Sequence, residues 1–265
     1  MKEKSFSVIT IALNNLAGFI ETKASIDAQT FPDFEWIIID GGSIDGTVEC
    51  LQRLDRPNYT WRSQPDEGLY DAMNKGLELV RGDYVIFMNS GDRFADQNVL
   101  NRVHALLTES EEKADFVYGD AYEQSAKGEL LLKPARPVSE MKRGMFTHHQ
   151  AMFYDRRTIG GTRYDRRFRI AADYHFTCRI LTSGIHAVRA DFPICINARS
   201  GLSEKNARLG RRENLLIQKE ILRIGPSRRA YNHASFIVSA IMRTYARGLY
   251  DRIRFRRTDP VDEIL

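Results

Sequence analysis

The chain has 265 residues, of which 43% are apolar and 28% charged, with a formal net charge of +4. That balance supplies a sizeable core and excludes disordered, collagen-like and coiled-coil classes. The longest apolar candidate, 234–242, is nine residues with two serines, well short of the ~20 residues of a membrane-spanning helix.

In chain order, the first strong signal is Phe6 to Leu13 (FSVITIAL), a β-rich apolar run that reads as a buried strand. Phe19 to Gln29 follows with helical spacing, and Phe34 to Ile39 (FEWIII) is a second buried strand ending at Asp40-Gly41-Gly42. Thr47 to Leu54 opens as a helix, with Asp45 or Thr47 as its cap. Tyr59 to Ser63 is a short strand, Gly68 to Val80 a helix stopped by Gly82, and Tyr84 to Met88 (YVIFM) a buried strand ending at Asn89-Ser90-Gly91-Asp92. Asn98 to Glu109 is helical and Phe116 to Tyr118 a strand. Strands alternating with helices predict a mostly parallel, doubly wound α/β sheet, whose ligands sit beyond the carboxyl ends of the strands. The second half is less regular. His148-His149-Gln150 precedes an apolar stretch, 166–181 is a loop entering a helix with Asp173 near its start, and Ala187 to Ala198 is strand-like. Leu202 to Arg212 reads as a polar, mobile loop, followed by helices around Arg212 to Ile224 and Asn232 to Arg254.

Two strands end in carboxylate-bearing turns, and these direct the search for chemistry. In Asp40-Gly41-Gly42-Ser43-Ile44-Asp45-Gly46-Thr47 the carboxylates suit a base N–H or a ribose hydroxyl, and the glycines let the backbone approach a ligand. A capping turn has the same composition. In Asn89-Ser90-Gly91-Asp92, one strand-end Asp suits a hard cation whose other oxygens come from substrate phosphates. Asp71, Asn74 and Lys75 share one helix face, which suits a phosphate, a sugar or plain solvent. Asp173, preceded by Ala171-Ala172, suits a partly desolvated general base or a helix-start carboxylate. Neither G-x-G-x-x-G nor G-x-x-x-x-G-K-[ST] occurs, which disfavours dinucleotide and P-loop folds. Cys50, Cys178 and Cys195 are too scattered for a disulfide framework or a zinc site, and the Met1-Lys2-Glu3-Lys4 start lacks the apolar stretch of a secretory signal, so a cytoplasmic chain is expected.

The order strand-D-G-G-S-x-D-G-T, D-E-G-x-Y-D-A-M-N-K-G, strand-N-S-G-D, H-Q, A-A-D-Y resembles the family-two inverting glycosyltransferases from Ser5 to about Ser203. It looks closest to the exopolysaccharide branch of colanic-acid type. The resemblance implies a GT-A nucleotide-sugar-binding sandwich over 1–205, with a nucleotide-binding half at 1–120 and an acceptor-binding half at 121–205, and a basic helical extension at 206–265. It implies a metal-dependent, hexosyltransferase-like enzyme that uses a nucleotide-diphospho-sugar, typically a UDP-sugar. Thr10 and Asn14 would line the nucleotide pocket, Asp40 would bind the base, Asp45 would shape that pocket, and Asn74 and Lys75 would lie near the ribose and pyrophosphate. Asp92, the one carboxylate left in the family's D-x-D element because Asn89 and Gly91 fill the other positions, would hold Mn²⁺ or Mg²⁺. His149 and Gln150 would lie at the acceptor or pyrophosphate. Asp173 would be the general base, with Ala172 where the family usually has an acid. Ser200-Gly201-Leu202-Ser203 partly matches the G-G-x-S loop. A sugar nucleotidyltransferase is the rival enzyme, disfavoured because 12–18 carries no Lys or Arg, and a non-catalytic nucleotide-sugar-binding protein is the rival outside catalysis.

Charge is unevenly spread. Residues 199–257 hold 15 Lys and Arg against 4 Asp and Glu, which points to an anionic surface as partner. From Ala234 on, Ile237, Val238, Ile241, Tyr245, Leu249 and Ile253 recur at helical steps beside arginines. Such a helix either lies on an anionic membrane, serving a lipid-linked acceptor at the inner face of the cytoplasmic membrane, or packs on protein. No nucleic-acid partner is expected.

Overall fold

The structure, a computed structural model, describes residues 5–110, 112–125, 128–198 and 206–255. Four strands and three helices alternate first: β1 (Phe6–Ala12), α1 (Leu16–Asp27), β2 (Phe34–Asp40), α2 (Thr47–Gln52), β3 (Tyr59–Ser63), α3 (Leu69–Leu77) and β4 (Tyr84–Phe87). Then come β5 (Arg93–Phe94), α4 (Val99–Glu109), β6 (Phe116–Gln124), β7 (Leu130–Lys133), 3₁₀ turns at Val138–Arg143 and His149–Ala151, β8 (Met152–Asp155), α5 (Arg156–Ile159), α6 (Ala172–Leu181) and β9 (Ala187–Ala198). Three helices follow, α7 (Ala207–Glu220), α8 (Pro226–Tyr245) and α9 (Arg247–Arg254).

All nine strands form one sheet in the order β3-β2-β1-β4-β8-β6-β9-β5, with β7 paired to β6. β1, β2, β3 and β4 are mutually parallel, β8 runs against β4 and β6, and β9 is parallel to β6. Most strands therefore share one direction, as expected of an α/β sandwich. β1, β2 and β4 are buried along their whole lengths because helices cover both faces. The period of two divides β1 between two cores: Phe6, Val8 and Ala12 join one apolar cluster, Ile9 and Ile11 the other.

One polar device locks these strands. Oε1 of the buried Glu35 accepts from Ser7 Oγ (2.6 Å), Arg81 N (2.6 Å) and Gly82 N (3.2 Å). Gly82 lies so close to β1 that a Cβ there would stand 2.5 Å from the Phe6 carbonyl carbon. The expected helix stop is thus also a packing necessity.

Several boundaries differ from the sequence reading. α1 starts at Leu16, three residues before the expected Phe19, because Asn15 caps it through Oδ1 to Gly18 N (3.3 Å). β6 runs to Gln124 because β7 and β9 pair with its polar second half. α7 begins at Ala207, inside the expected loop 202–212. The single helix expected over 232–254 breaks at Ala246, whose φ of −136° is not helical. Ser200 to Ser203 lie outside the described residues.

Candidate functional site

β1, β2, β3 and β4 deliver their carboxyl ends to one edge, and the turns beyond them build the site. The first wall is the turn 40–47. Asp40 Oδ2 accepts from Gly42 N (3.0 Å), Ser43 N (2.9 Å) and Ser63 Oγ (2.6 Å), while Oδ1 accepts from Ser43 Oγ (2.5 Å). Gly42 meets this geometry at φ 86°, a region other residues rarely adopt. Asn14 joins the turn to the β1–α1 loop: its N–H donates to Ser43 Oγ (2.8 Å) and its Oδ1 accepts from Ile44 N (2.9 Å). Asp45 Oδ2 accepts from Leu16 N (2.7 Å), and Oδ1 from Thr47 Oγ1 (2.7 Å). The Thr47 hydroxyl, with backbone N–H groups, holds the Asp45 carboxyl below the usual carboxylate range. Asp40 has no exposed surface, so in this conformation it builds the turn from within.

Two other sequence candidates are also inward. Thr10 is fully buried, donates to Met88 O (2.7 Å) and accepts from Trp36 Nε1 (2.8 Å), bracing β1 to its neighbours. Asn74 clamps the Tyr164 backbone on both sides, Nδ2 to O at 3.0 Å and Oδ1 from N at 2.8 Å. Lys75 pairs with Asp71 (2.9 Å), and Arg166 joins Asp71 (3.3 Å) and Glu67, setting two cations beside the loop that follows β3. Lys75 leads the interactions that hold the Asp71 carboxyl below its usual range.

The second wall centres on Asp92, 7% exposed. Its Oδ2 accepts from Gln150 Nε2 (2.6 Å) and Oδ1 from Asn197 Nδ2 (2.8 Å). Burial raises its carboxyl to about 7, against the two hydrogen bonds that lower it. Thr22 of α1 donates to the Asp92 carbonyl (2.7 Å) and accepts from Gly91 N (2.9 Å), fixing the loop from below. Two buried amide oxygens, Asn89 Oδ1 and Gln150 Oε1, have no hydrogen-bond partner. A carboxylate and two unsatisfied amide oxygens are the hard donors that Mn²⁺ or Mg²⁺ takes. Among the described residues no group of three His, Cys, Asp or Glu gathers, so a cation there would need oxygens from its ligand.

The third element is Asp173 in the first turn of α6. Its side chain is 21% exposed, so a substrate can reach it. Burial raises its carboxyl to about 6, with the charge of Glu213 adding and the Tyr174 amide opposing. His149 stands between the walls, with Nδ1 3.6 Å from Asp173 Oδ2 and Nε2 3.2 Å from Asn89 Nδ2. Burial, then the neighbouring His148, push the His149 imidazole down to about 3, so it is neutral near pH 7. Glu213 of α7 is buried and accepts from Arg169 N (2.8 Å), Ile170 N (2.9 Å) and Ala171 N (2.8 Å). It thereby fixes the backbone leading into Asp173, and Gly210 one turn earlier lets α7 approach Ile170.

The structure thus brings Asp92, His149, Gln150 and Asp173 into one chain of contacts, with Asn14, Asp40 and Asp45 in the adjoining turn. Sequence reasoning missed Asn197, Thr22 and Glu213. Asn197 is a lone amide in a strand, and Glu213 looks like a solvated charge in a basic helix.

The burial of Asp92 has a pH signature. The folded chain holds a proton there that the unfolded chain releases near pH 4, so this group's contribution to stability falls as pH rises from about 4 to 7. Asp92→Asn removes that dependence, and Gln150 can turn its free oxygen toward the new amide. Stability of the variant minus that of wild type, from denaturant titrations, should grow with pH up to about 7, by at most ~4 kcal/mol, then level off. Mn²⁺ should raise the melting temperature of wild type above pH 7 and leave the variant unmoved. A pH-independent difference, or equal Mn²⁺ shifts, would contradict this description of Asp92.

Comparison with known proteins gives the family and the fold. Residues 7–186 match the family model for glycosyl transferase family 2. A glycosyltransferase of PGL/p-HBAD biosynthesis from Mycobacterium bovis is 32% identical over 238 residues, covering 84% of each chain. The putative teichuronic acid biosynthesis glycosyltransferase TuaG of Bacillus subtilis is 31% identical over 107 residues, 39% of this chain and 42% of that one. Among solved structures, S. aureus TarS 1–349 in complex with UDP-GlcNAc superposes with a TM-score of 0.64 at 17% identity, covering 92% of this chain and 75% of that one. The mannosyltransferase PcManGT of Pyrobaculum calidifontis, in complex with GDP-Man and Mn²⁺, gives 0.64 at 19% identity, covering 90% and 71%. At such identities these structures establish the shared, GT-A-like fold. With the family model spanning about two thirds of the chain and a relative of 32% identity over most of it, this protein belongs to glycosyl transferase family 2 and is a glycosyltransferase.

Proposed function

We propose that this enzyme moves a sugar, with inversion, from a UDP-sugar to a saccharide or lipid-linked saccharide acceptor in bacterial surface or exopolysaccharide assembly. One observation carries the reading: His149 stands between Asn89, in the loop that carries Asp92 and beside Gln150 with its unsatisfied amide oxygen, and the raised carboxyl of Asp173. The UDP-GlcNAc in the TarS complex, and the PGL/p-HBAD and teichuronic acid biosynthesis named for the relatives, support the donor and acceptor classes.

The residues divide the work. The 40–47 turn, with Asn14 and Asp45 at its rim and Asp40 and Thr10 bracing it from within, receives the base. Asn74 holds the loop at Tyr164, and Lys75 lies toward the ribose and pyrophosphate. An acceptor hydroxyl has a pKa far above 7, so it needs a base as it attacks the anomeric carbon. Asp173 takes that proton; a carboxyl near 6 is largely ionised at pH 7 and more basic than a solvated one. His149, neutral and wedged between Asn89 and Asp173, orients the carboxylate without adding charge. Asp92, with the oxygens of Asn89 and Gln150, would hold Mn²⁺ or Mg²⁺, which when bound offsets the charge growing on the leaving diphosphate. Inversion follows from a single in-line displacement with the base opposite the leaving group.

The exposed face of the C-terminal helices supports a membrane setting for the acceptor. Ile237, Val238, Ile241, Tyr245, Leu249 and Ile253 are all exposed, so this face does not pack on the catalytic body. Among the described residues no helix is long and apolar enough to cross a membrane. An amphipathic, Arg-rich face of this kind suits the headgroup boundary of an anionic leaflet, making the enzyme peripheral on the inner face of the cytoplasmic membrane.

The direct assay incubates the protein with a panel of nucleotide sugars and acceptors, with and without Mn²⁺. Release of the nucleoside diphosphate in Mn²⁺ is expected; pyrophosphate release would mark a nucleotidyltransferase, and no release a binding protein. Asp173→Asn should lower kcat by ~10²–10⁴ with UDP affinity within a few-fold. Glu213→Gln should lower kcat less, leave UDP affinity unchanged and move the acid limb of the pH profile downward, because a negative charge near Asp173 is gone. Lost UDP binding in the Asp173 variant would overturn the assignment of the base. For the membrane, Ile241→Glu/Leu249→Glu should abolish co-sedimentation with anionic vesicles that wild type shows at low salt. Equal behaviour of the two proteins would retire the membrane reading.

A further inference from the structure

A cavity of about 210 Å³ lies between α8, the end of α9 and the 3₁₀ turn Val138–Arg143, lined by Arg136, Arg143, Asn232, Ser235, Ser239 and Arg254, with Phe236 beside them. Its walls are fixed. Asn232, buried, donates from Nδ2 to Lys142 O (2.8 Å) and to Gln218 Oε1 (3.2 Å). Phe236 packs on Gly144, where a Cβ would stand 3.1 Å from its ring.

Three guanidinium groups meet here with one carboxylate. Glu140 Oε2 accepts from Arg143 Nη1 (2.8 Å) and lies 3.5 Å from Arg136 Nη1. Arg136 Nη2 donates to Met145 O (2.7 Å). Among the described residues the Arg254 guanidinium has no ion pair or hydrogen bond, and the hydroxyls of Ser235 and Ser239 have no partner. The crowding of like charge is felt: burial, then Arg254 and Arg143, lower the Arg136 pKa. Arg254 also bears on Lys133 and His148, which Glu123 already holds at 2.9 and 3.0 Å. Guanidinium forks and hydroxyl donors without enough carboxylate are the equipment for phosphate oxygens.

The cavity adjoins the acceptor side of the site. Tyr174, next to Asp173, donates from its hydroxyl to Met141 O (2.6 Å) in the 3₁₀ turn that ends at Arg143. His148, near Arg254, precedes His149, which touches Asp173.

We propose that Arg136, Arg143 and Arg254, with the Ser235 and Ser239 hydroxyls, form a binding site for a phosphate or pyrophosphate group presented beside the acceptor. Within the transferase reading, on which this placement rests, the group anchors what carries the acceptor sugar. It comes either from a phosphorylated lipid-linked acceptor or from a phospholipid headgroup of the surrounding leaflet.

Calorimetric titration of the full chain with inorganic pyrophosphate in chelator tests it. Wild type should bind, Arg143→Ala/Arg254→Ala should bind at least tenfold more weakly, and Arg208→Ala/Arg228→Ala, which removes the same charge from exposed positions, should stay within twofold of wild type. Parallel UDP titrations in Mn²⁺ should be the same for all three proteins; absent UDP binding there counts against the transferase reading and leaves the pyrophosphate result to stand by itself. No binding by wild type, equal binding by the pocket variant, or equal losses in both variants would overturn the proposal. Two arms identify the source. Loss of farnesyl diphosphate binding in the pocket variant, with unchanged flotation on 30% phosphatidylglycerol vesicles, assigns an acceptor-borne pyrophosphate; the reverse pattern assigns a lipid headgroup.

Discussion

A carboxylate buried among amides, with no Lys or Arg paired to it among the described residues, is the constraint around which this molecule is arranged. Asp92 receives Gln150 Nε2 and Asn197 Nδ2, and its own loop is clamped by Thr22. Three segments distant in sequence therefore converge on the end of β4. Two neutral amide donors do not repay the desolvation of an ionised carboxylate, so the group holds its proton up to about pH 7. The unsatisfied oxygens of Asn89 and Gln150 add to that cost. Such tension is stable only if the fold over-determines it, and it is relieved by whatever brings positive charge.

The same logic ties the C-terminal helices to the chemistry. Glu213 is too buried to be an ornament of a basic helix; it satisfies three backbone N–H groups just ahead of Asp173. Asn232 and Phe236 then hold α8 against the 3₁₀ turn that Tyr174 reaches from the other side. The extension is thus part of the frame that sets Asp173, while its apolar face and its arginine-lined cavity remain turned outward. A catalytic body and a docking surface joined through one helix would let the position of the acceptor and the posture of the base be set together.

Much of this was legible in the sequence, for physical reasons. FSVITIA, FEWIIID and YVIF are runs that only a doubly covered strand tolerates, and they are β1, β2 and β4. The turns at Asp40 and Asp92 stood out because carboxylates and glycines follow such runs directly. The inward use of Thr10 and Asn74 was not legible, since a hydroxyl or amide near a strand end or on a polar helix face looks alike whether it meets a ligand or a backbone. β7 and the second half of β6 carry no full apolar alternation, because their pairing is set by neighbouring strands. The break at Ala246 precedes Gly248 by two residues, and that glycine lies inside α9 rather than at the break itself. Asn197 becomes visible only once β9 brings it beside Asp92.

On the proposed reading, the end of β4 would hold a divalent cation between Asp92 and a nucleoside diphosphate whose base rests on the 40–47 turn. A crystal structure of the full chain with UDP and Mn²⁺, with anomalous scattering recorded at the manganese edge, tests this most directly. One strong peak is expected, bonded to the Asp92 carboxylate and to the diphosphate, with His149 and Asp173 facing the open side. A manganese peak away from Asp92, or a uracil ring bound apart from Asn14 and the 40–47 turn, would contradict it.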